Sequence, residues 1–445
     1  MADTPVNWPF TPSPLAIDIV GAQGCHLHAR DGRKILDAAG GAMVVNIGHG
    51  RREPGEAMAR ASSAVSYVIP PFVTPQRMQL AERLQRDWLP PGFTRLHLSS
   101  GGSEAVETAI KLARQHHFAK GDTGKWKVIG RDLSYHGATV ATLEIGGHAA
   151  RRAPVAAMAR ETPKAPPHYC LRCPLGKTYP TCDVACADEV EAIILREGPD
   201  TVAGVIAEPV VGSSGGALEP PPGYWRKLRA ICDRHDVVLI ADEVVTGFGR
   251  TGVRFASEGE GALPDIIATA KGMSGGYAPI GGTFATERIA EPLERTGDAP
   301  MFYTFSAHPA ACAAADAVLD ILSKEDLMAR ARVMGDRLGA RLQRLKQHPN
   351  VAEVRGRGLL RAIEIVRDRE TLERFPAEAN ITMKVLNGGL AENVYFYPGG
   401  TGAQRDVIVL APPFIVTDAE IETMCAVLER AIDRAVEGDS LSSRA

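Results

Sequence analysis

Three short apolar runs of this chain each stop at a residue whose side chain can do chemistry. They are Val202–Ala207 before Glu208, Val237–Ala241 before Asp242, and Ile266–Ala270 before Lys271. A lysine amine can form an imine with a carbonyl group, and a carboxylate can hold the positive charge of a ring nitrogen. This combination is the one that pyridoxal phosphate (PLP) chemistry requires.

The three runs indicate strands of a parallel sheet. Short stretches of Val, Ile, Leu and Ala are typical of strands that are buried on both faces. In an open α/β sheet, ligands bind beyond the carboxyl ends of the strands, so Glu208, Asp242 and Lys271 should face one crevice. The three residues are separated along the chain by about 30 residues each, the length of a strand–helix–strand crossover. These separations favour an α/β fold with a doubly wound, mostly parallel sheet.

A glycine-rich turn offers a place for a phosphate group. Ser99–Ser103 leads directly into a predicted helix, Glu104–His116, and the free amides of a first helical turn favour a phosphate. An ordinary N-cap serine is the simpler interpretation. Because Asp242 and Lys271 occur in the same chain, we favour the phosphate site.

Two further residues carry groups that a cofactor site would use. Tyr135 follows the predicted strand Lys125–Gly130 and could stack on a planar ring, with Gly137 leaving room. Thr304 offers a hydroxyl among aromatic residues. The simpler interpretations are a core tyrosine and a threonine at the start of a helix.

Asp242 and Lys271 also have simpler explanations. Asp242 could cap the next helix or share a metal ion with Glu243, although Glu243 should point to the opposite face if the strand continues through it. Lys271 could be a solvated lysine at the start of a loop, as most single lysines are. The combination with Glu208 favours the cofactor site.

Composition restricts the classes of partner. The 445 residues are 45% hydrophobic and 23% charged, with a net charge of −3, as in an ordinary soluble protein. This charge favours neither nucleic acid nor an anionic membrane. No apolar stretch reaches the roughly 18 residues of a membrane span, and the first residues do not resemble a signal peptide, so we expect a cytoplasmic protein.

Four of the eight cysteines are clustered, as Cys170-x-x-Cys173 and Cys182-x-x-x-Cys186. This spacing could hold a structural zinc ion. Reduced thiols that pack a long loop are the alternative that a reducing compartment favours. We predict no metal and no catalytic role for this cluster.

A second motif suggests a different chemistry. Gly212-x-Ser214-x-Gly216 matches the nucleophile elbow of serine hydrolases, which must lead straight into a helix. Pro220–Pro222 follow within a few residues and make a helix there improbable. A zinc-clipped serine hydrolase using Ser214 is therefore only a remote alternative.

The pattern changes after about Ser306, which suggests a second unit. We predict a helix, two strands and a final helix with a capping box at Thr417–Glu420; the elements are Ala310–Leu322, Val354–Val366, Val407–Ala411 and Asp418–Val436. We assign 1–70 to an N-terminal arm and part of a small domain, 71–325 to a large PLP-binding domain, and 326–445 to the C-terminal part of the small α+β domain. The prolines of the arm, at positions 5, 9, 12 and 14, suggest packing on a partner subunit.

Taken together, these motifs resemble the class III PLP-dependent aminotransferases, a branch of the fold type I PLP enzymes. The segments that carry the resemblance appear in the order of the family and cover most of the chain: Ser100–Ala105, Tyr135-His136-Gly137, Glu208-Pro209, Asp242-Glu243-Val244 with Thr246–Gly252, Ala270-Lys271-Gly272, and Tyr303–Pro309.

The resemblance implies a role for each matching residue. Lys271 would form the imine with the cofactor and later shuttle the proton, and Asp242 would pair with the pyridine nitrogen. Tyr135, in the same motif as His136, would stack on one face of the ring, and Val244 would pack on the other. Gly102 and Ser103 would bind the phosphate, Thr304 would reach the phosphate of the neighbouring subunit, and Glu208 would orient the substrate. The resemblance implies a homodimer or a dimer of dimers.

The implied reaction moves an amino group from an amine, amino acid or ω-amino acid to an oxo acid such as pyruvate or 2-oxoglutarate, in two half-reactions. A racemase or epimerase, or a decarboxylating transaminase, on the same scaffold is the alternative. Relatives that bind a carboxylate often have an arginine before the Pro-Pro of the late strand. Arg405 is the candidate here, although the glycine-rich insert Pro398–Gly402 precedes it. Met43, Tyr67 and Phe72 suggest a pliable apolar substrate pocket.

Overall fold

A computed structural model describes residues 17–297 and 303–442 of the chain. The proline-rich arm predicted at the N-terminus lies outside these residues. Within them the strands are β1 Ile19–Gln23, β2 His26–Ala29, β3 Lys34–Asp37, β4 Phe93–Ser99, β5 Lys127–Arg131, β6 Lys164–Ala165, β7 Val202–Ala207, β8 Val238–Asp242, β9 Ile266–Thr269, β10 Gly281–Thr286, β11 Val351–Arg357, β12 Leu360–Ile365, β13 Val394–Tyr395, β14 Tyr397–Gly399 and β15 Val407–Leu410.

The α-helices of the described residues lie between these strands. They are α1 Gly40–Met43, α2 Arg52–Ala64, α3 Pro75–Arg83, α4 Gly102–Ala119, α5 Val140–Ile145, α6 Ala149–Arg152, α7 Ala185–Glu197, α8 Tyr224–Arg234, α9 Glu287–Thr296, α10 Pro309–Lys324, α11 Leu327–Leu342, α12 Ile381–Ala391 and α13 Asp418–Ser442. None of these helices is both long enough and apolar enough to cross a lipid bilayer.

The central sheet has seven strands in the order β4-β10-β9-β8-β7-β5-β6. Strands β6, β5, β7, β8 and β9 pair in parallel, and β10 is antiparallel to both of its neighbours. This sheet confirms the predicted α/β class with a mostly parallel sheet. It also confirms the three predicted strands: β7 ends just before Glu208, β8 ends at Asp242, and β9 ends two residues before Lys271.

Alternating side chains of the central strands pack on helices at both faces. Ile206, Val238 and Ile240 lie in one buried cluster with apolar residues of α4 and α9. Val205 and Leu239 lie in another cluster with residues of α7 and α8. Because side chains alternate along a strand, Asp242 at the end of β8 falls on the α4 face and Glu243 would fall on the other. The helices on both faces are those of a doubly wound sheet.

Two smaller four-stranded sheets complete the chain. One has the order β1-β2-β3-β13, so the N-terminal strands pair with a strand from near position 395. The other has the order β11-β12-β15-β14. The first of these sheets pairs β3 with β13 in parallel. The domain limits at 70 and 325 stay predictions.

One predicted element was wrong. Val354–Val366 was expected to be a single strand, whereas β11 and β12 form an antiparallel hairpin. The turn passes through Gly358, whose φ is +55°, a backbone conformation that glycine adopts without strain. The segment Arg355–Gly358, with two glycines and two arginines, was the local signal for this turn that the prediction overlooked. By contrast, the capping box of α13 is as predicted: Glu420 N donates to Thr417 Oγ1 at 3.3 Å and Thr417 N to Glu420 Oε2 at 2.8 Å.

Candidate active site

One cavity of about 190 Å³ lies at the carboxyl ends of β7, β8 and β9. Eight of the residues proposed from the sequence line it, together with Gly137, Ser213, Val245 and Ala270; the eight are Gly102, Ser103, Tyr135, His136, Glu208, Asp242, Val244 and Lys271. The predicted convergence of two acids and a lysine from three strands therefore occurs in the structure.

Asp242 is buried and held in one orientation. Its Oδ2 lies 2.7 Å from Nδ1 of His136, and its Oδ1 accepts a hydrogen bond from Val244 N at 3.0 Å. The other ring nitrogen of His136, Nε2, is buried without a hydrogen-bond partner. A buried carboxylate fixed by two donors keeps its negative charge directed at a ligand with little reorganisation.

Glu243, next in sequence, serves a different purpose. Its carboxylate accepts hydrogen bonds from the backbone N–H groups of Ala256 and Ser257 at 3.0 and 2.7 Å and from the Thr246 hydroxyl. It does not line the cavity. A metal site shared by the two acids is therefore excluded in this structure, because their side chains bind different groups.

Glu208 is held at the floor of the cavity by backbone amides. Its Oε1 accepts from Tyr135 N at 3.1 Å and its Oε2 from Gly212 N at 2.7 Å. Arg131 donates to the backbone carbonyl of Glu208 at 2.8 Å. Burial raises the pKa of Glu208, because removing a carboxylate from water disfavours its charged form.

Lys271 comes two residues after the end of β9 and adopts a φ of +31°. Its Nζ makes no hydrogen bond to any described residue. Burial lowers the pKa of Lys271 to about 8, although the Asp242 and Glu208 carboxylates act in the opposite direction. A lysine with such a pKa is partly a free amine near neutral pH, which is the reactive form.

The lowered pKa of Lys271 can be tested in cofactor-free protein. Its rate of modification by an amine-acylating reagent should rise with pH and level off around a midpoint of about 8, because only the unprotonated amine reacts and its pKa is about 8. Peptide mass spectrometry across pH 6–11 measures this rate. A midpoint near the ~10.4 of an unperturbed lysine would contradict the burial argument.

The N-terminus of α4 provides the phosphate-sized end of the cavity. Its N-cap, Gly101, has no side-chain cap, so the first amides of the helix remain available to an anion. A Cβ atom on Gly102 would approach Val244 Cγ1 to 3.0 Å, and one on Gly137 would approach the Ser103 and Thr142 hydroxyls to 2.8 and 2.6 Å. Glycine is therefore required for this close packing.

These residues fit PLP. Asp242 supplies a carboxylate for a ring nitrogen, Lys271 supplies an amine for a carbonyl carbon, and the start of α4 supplies amides for a phosphate. The flat ring of Tyr135 borders the same cavity. The chemistry of each part of the cofactor is thus matched by a described group.

The remaining predicted residues lie elsewhere. Thr304 is exposed, as are Tyr67 and Phe72, which are 37% and 60% exposed. Met43 is buried in a separate apolar cluster, which Val245 of the cavity contacts. None of these lines the cavity of the described chain. Their proposed roles in binding substrate or the phosphate of a neighbouring subunit stay predictions.

Arg405 also lies away from the cavity lining. Its Nη2 donates to the Phe375 carbonyl at 2.6 Å, and its Nε lies 3.8 Å from Asp406 Oδ2. In this structure one nitrogen of the guanidinium is therefore occupied by the Phe375 carbonyl. A substrate carboxylate would reach it only if these contacts were exchanged.

Neither alternative motif forms a site. The Ser214 hydroxyl is buried and without a hydrogen-bond partner, so no base activates it, and no helix follows before Tyr224. The four clustered cysteines border one small pocket and are free thiols. In the described chain no three of their sulfur atoms lie within 4.8 Å of one another.

Sequence reasoning missed one hydrogen bond of the site and two of its residues. The Asp242–His136 hydrogen bond was not foreseen, although His136 was placed in the site. Arg131 and Ser213 were not considered. An arginine at the end of a buried strand was the available signal for Arg131, because such a charge needs partners.

A comparison with known families identifies the chain. The family "Aminotransferase class-III" matches residues 11–432. The chain belongs to the class III aminotransferases. It is 38% identical to an uncharacterized aminotransferase of Schizosaccharomyces pombe over 426 residues, which cover 94% of this chain and 93% of that protein.

Solved transaminases have the same fold as this class III aminotransferase. An amine transaminase from an uncultivated Pseudomonas species, crystallised in a PLP-bound form, superposes with a TM-score of 0.91 at 35% identity, covering 98% of this chain and 99% of that one. An (S)-enantioselective omega-transaminase from Thermomicrobium roseum superposes with a TM-score of 0.88 at 35% identity, covering 95% and 93%. These likenesses confirm PLP fold type I, and the family is PLP-dependent.

Proposed function

We propose that this enzyme binds PLP at Lys271 and moves an amino group from an amine, amino acid or ω-amino acid to an oxo acid, pyruvate or 2-oxoglutarate. The observation that supports this most is that the Lys271 amine and the Asp242 carboxylate border one cavity at the ends of neighbouring strands. The solved relatives named as amine and omega-transaminases extend the proposal to amine donors.

When bound, PLP supplies a carbonyl carbon for the amine and a ring that accepts electrons. Lys271, with its pKa lowered to about 8, takes a proton from the substrate carbon and then donates it to the former carbonyl carbon of the cofactor. Asp242 holds the positive charge of the ring nitrogen. His136 keeps Asp242 oriented through its 2.7 Å hydrogen bond, so that the charge does not need to reorganise during the reaction.

The other predicted residues complete the proposed site. Gly102 and Ser103 bind the phosphate at the start of α4, Tyr135 and Val244 enclose the ring, and Glu208 orients the substrate. Thr304 reaches the phosphate of a neighbouring subunit in a homodimer. Exposed aromatic rings next to Thr304 support a subunit contact there, because a partner would bury them. Tyr67 and Phe305 are in edge-to-face contact, with 6.2 Å between centroids, and Phe305 is 60% exposed.

A screen of donors against pyruvate and 2-oxoglutarate tests the proposal. We expect the PLP-loaded enzyme to release a carbonyl product from at least one amine or amino acid only when an oxo acid is present, because the second half-reaction restores the cofactor. Racemisation of an amino acid without any oxo acid would instead indicate the racemase. Release of carbon dioxide together with amino transfer would indicate the decarboxylating transaminase.

A further inference from the structure

Arg151 lies beside the cavity and lacks an acidic partner. Its guanidinium carbon is 4.8 Å from the centroid of the Tyr135 ring, and the side chain makes no hydrogen bond or salt bridge to any residue in the described part of the chain. The adjacent Arg152 is different, because it binds the buried Glu144 through two hydrogen bonds of 2.9 and 3.0 Å. Arg152 thus anchors α6, and Arg151 is left directed at Tyr135.

The charge of Arg151 reaches the reacting group. Burial is the main cause of the lowered pKa of Lys271, and the positive charges of Arg250 and then Arg151 lower it further. Burial also lowers the pKa of His148, with a further contribution from the charge of Arg151. An exposed cation over an aromatic ring gains only about 0.5–1 kcal/mol from that contact. Stability therefore gives little reason for an unpaired cation here, whereas attraction of an anion to the cavity gives one.

The wall next to Arg151 comes from the glycine-rich insert. Gly400 N donates to the carbonyl of Ser213, which lines the cavity, at 2.7 Å. Thr401 Oγ1 lies 3.0 Å from Nδ1 of His148, and the His148 ring meets Tyr135 edge-on with 6.2 Å between centroids. The insert therefore contributes the Thr401 hydroxyl, and the segment before α6 contributes the His148 imidazole, next to the Tyr135 ring that the guanidinium covers.

The arginine expected from the family pattern is engaged elsewhere. Arg405 donates to the Phe375 carbonyl at 2.6 Å. Neither Arg405 nor Arg151 lines the cavity itself, but Arg151 lies over Tyr135, which does. In the described chain, Arg151 is therefore the guanidinium that stands next to the cavity without a hydrogen-bond or ion-pair partner.

We propose that Arg151 is a specificity-determining residue that binds the carboxylate of an amino-acid or oxo-acid substrate at this rim, with Thr401 and His148 beside it. A guanidinium can bind a carboxylate through two parallel hydrogen bonds. The substrate class is thus a carboxylate-bearing amino donor or acceptor, and simple amines do not use this group. The inference rests on the proposed function, since it assigns the substrate of the same cavity.

The test is Arg151→Gln in the PLP-loaded enzyme, with Arg160→Gln as the matched control. Arg160 is also exposed and also lies over an aromatic ring, 5.1 Å from the centroid of Trp126, but Trp126 precedes β5 at the end of the sheet opposite the cavity. We expect Arg151→Gln to raise the KM for the oxo acid about tenfold or more and to change the KM for benzylamine, a donor without a carboxylate, less than about twofold. Arg160→Gln should change neither. The KM of Arg151→Lys for the oxo acid should lie between those of the wild type and Arg151→Gln, because lysine keeps the charge and loses the paired hydrogen bonds.

A binding measurement separates this inference from the proposed reaction. Propanoate and glutarate are unreactive analogues of pyruvate and 2-oxoglutarate. Calorimetry should show that at least one of them binds to the wild-type holoenzyme. The same analogue should bind to Arg151→Gln about tenfold more weakly. Equal binding by both proteins, or none by the wild type, overturns the role of Arg151. If the wild type binds an analogue but transfers no amino group from any donor, the proposed function fails and the carboxylate site stands.

Discussion

Lys271→Ala should abolish both the absorbance of the imine between Lys271 and PLP and the turnover of the PLP-loaded enzyme. The Lys271 amine is the described lysine that borders the cavity with Asp242, and its pKa of about 8 makes it available as a nucleophile and a base. We expect turnover to fall by about 10⁴-fold or more, because one group supplies both covalent attachment and proton transfer. Absorbance near the visible range and steady-state kinetics measure the two effects.

Lys384→Ala is the control for this prediction. Lys384 is exposed on α12, away from the cavity, so its removal should leave colour and rate unchanged. Borohydride should attach the cofactor covalently to wild-type protein and not to Lys271→Ala. A Lys271→Ala protein that retains the imine absorbance and the activity would disprove the assignment of this lysine.

Asp242→Asn should retain the cofactor and lose most of the rate. The substitution keeps the size of the side chain but removes the negative charge that holds the ring nitrogen in its cationic form. Loss of one preorganised electrostatic group costs about 10²–10³-fold in kcat, and we expect an effect of at least this size. Single-turnover kinetics with an amine donor would show whether the slowed step is the transfer of the proton from the substrate carbon.

Two variants separate the charge of Asp242 from its packing. Glu243→Gln alters the neighbouring buried acid, which binds the backbone amides of Ala256 and Ser257, and should lower stability while leaving the rate per folded molecule unchanged. His136→Asn retains an N–H donor toward Asp242 and should reduce the rate far less than Asp242→Asn. An Asp242→Asn enzyme with wild-type kcat would remove Asp242 from its proposed role.

The positions of the strand-end residues could be predicted because local rules decide them. An apolar run that forms a buried parallel strand places its next polar residue at the carboxyl edge of the sheet. Glu208, Asp242 and Lys271 meet that condition, and their side chains line one cavity. The glycine turn before α4 follows from similarly local chemistry. Their functional roles remain proposals that the variants above will test.

The hairpin of β11 and β12 shows where local rules fail. Its turn lies at Gly358, after Arg355-Gly356-Arg357, and the prediction joined the apolar residues of both strands into one strand across these glycines. Register across strands is set by pairing and burial, which involve residues distant in sequence such as those of β15.

By itself, the sequence determined the mostly parallel sheet and the family, because these depend on residue types at short spacings. Only the tertiary structure decided which arginine side chains are engaged by other groups and which is left unpaired beside the cavity. Arg405 is bound to the Phe375 carbonyl, whereas Arg151 lies over Tyr135, sixteen positions earlier in the chain. The direction of a long, flexible arginine side chain depends on which carbonyls and acids the folded chain brings within its reach, and no spacing in the sequence specifies that.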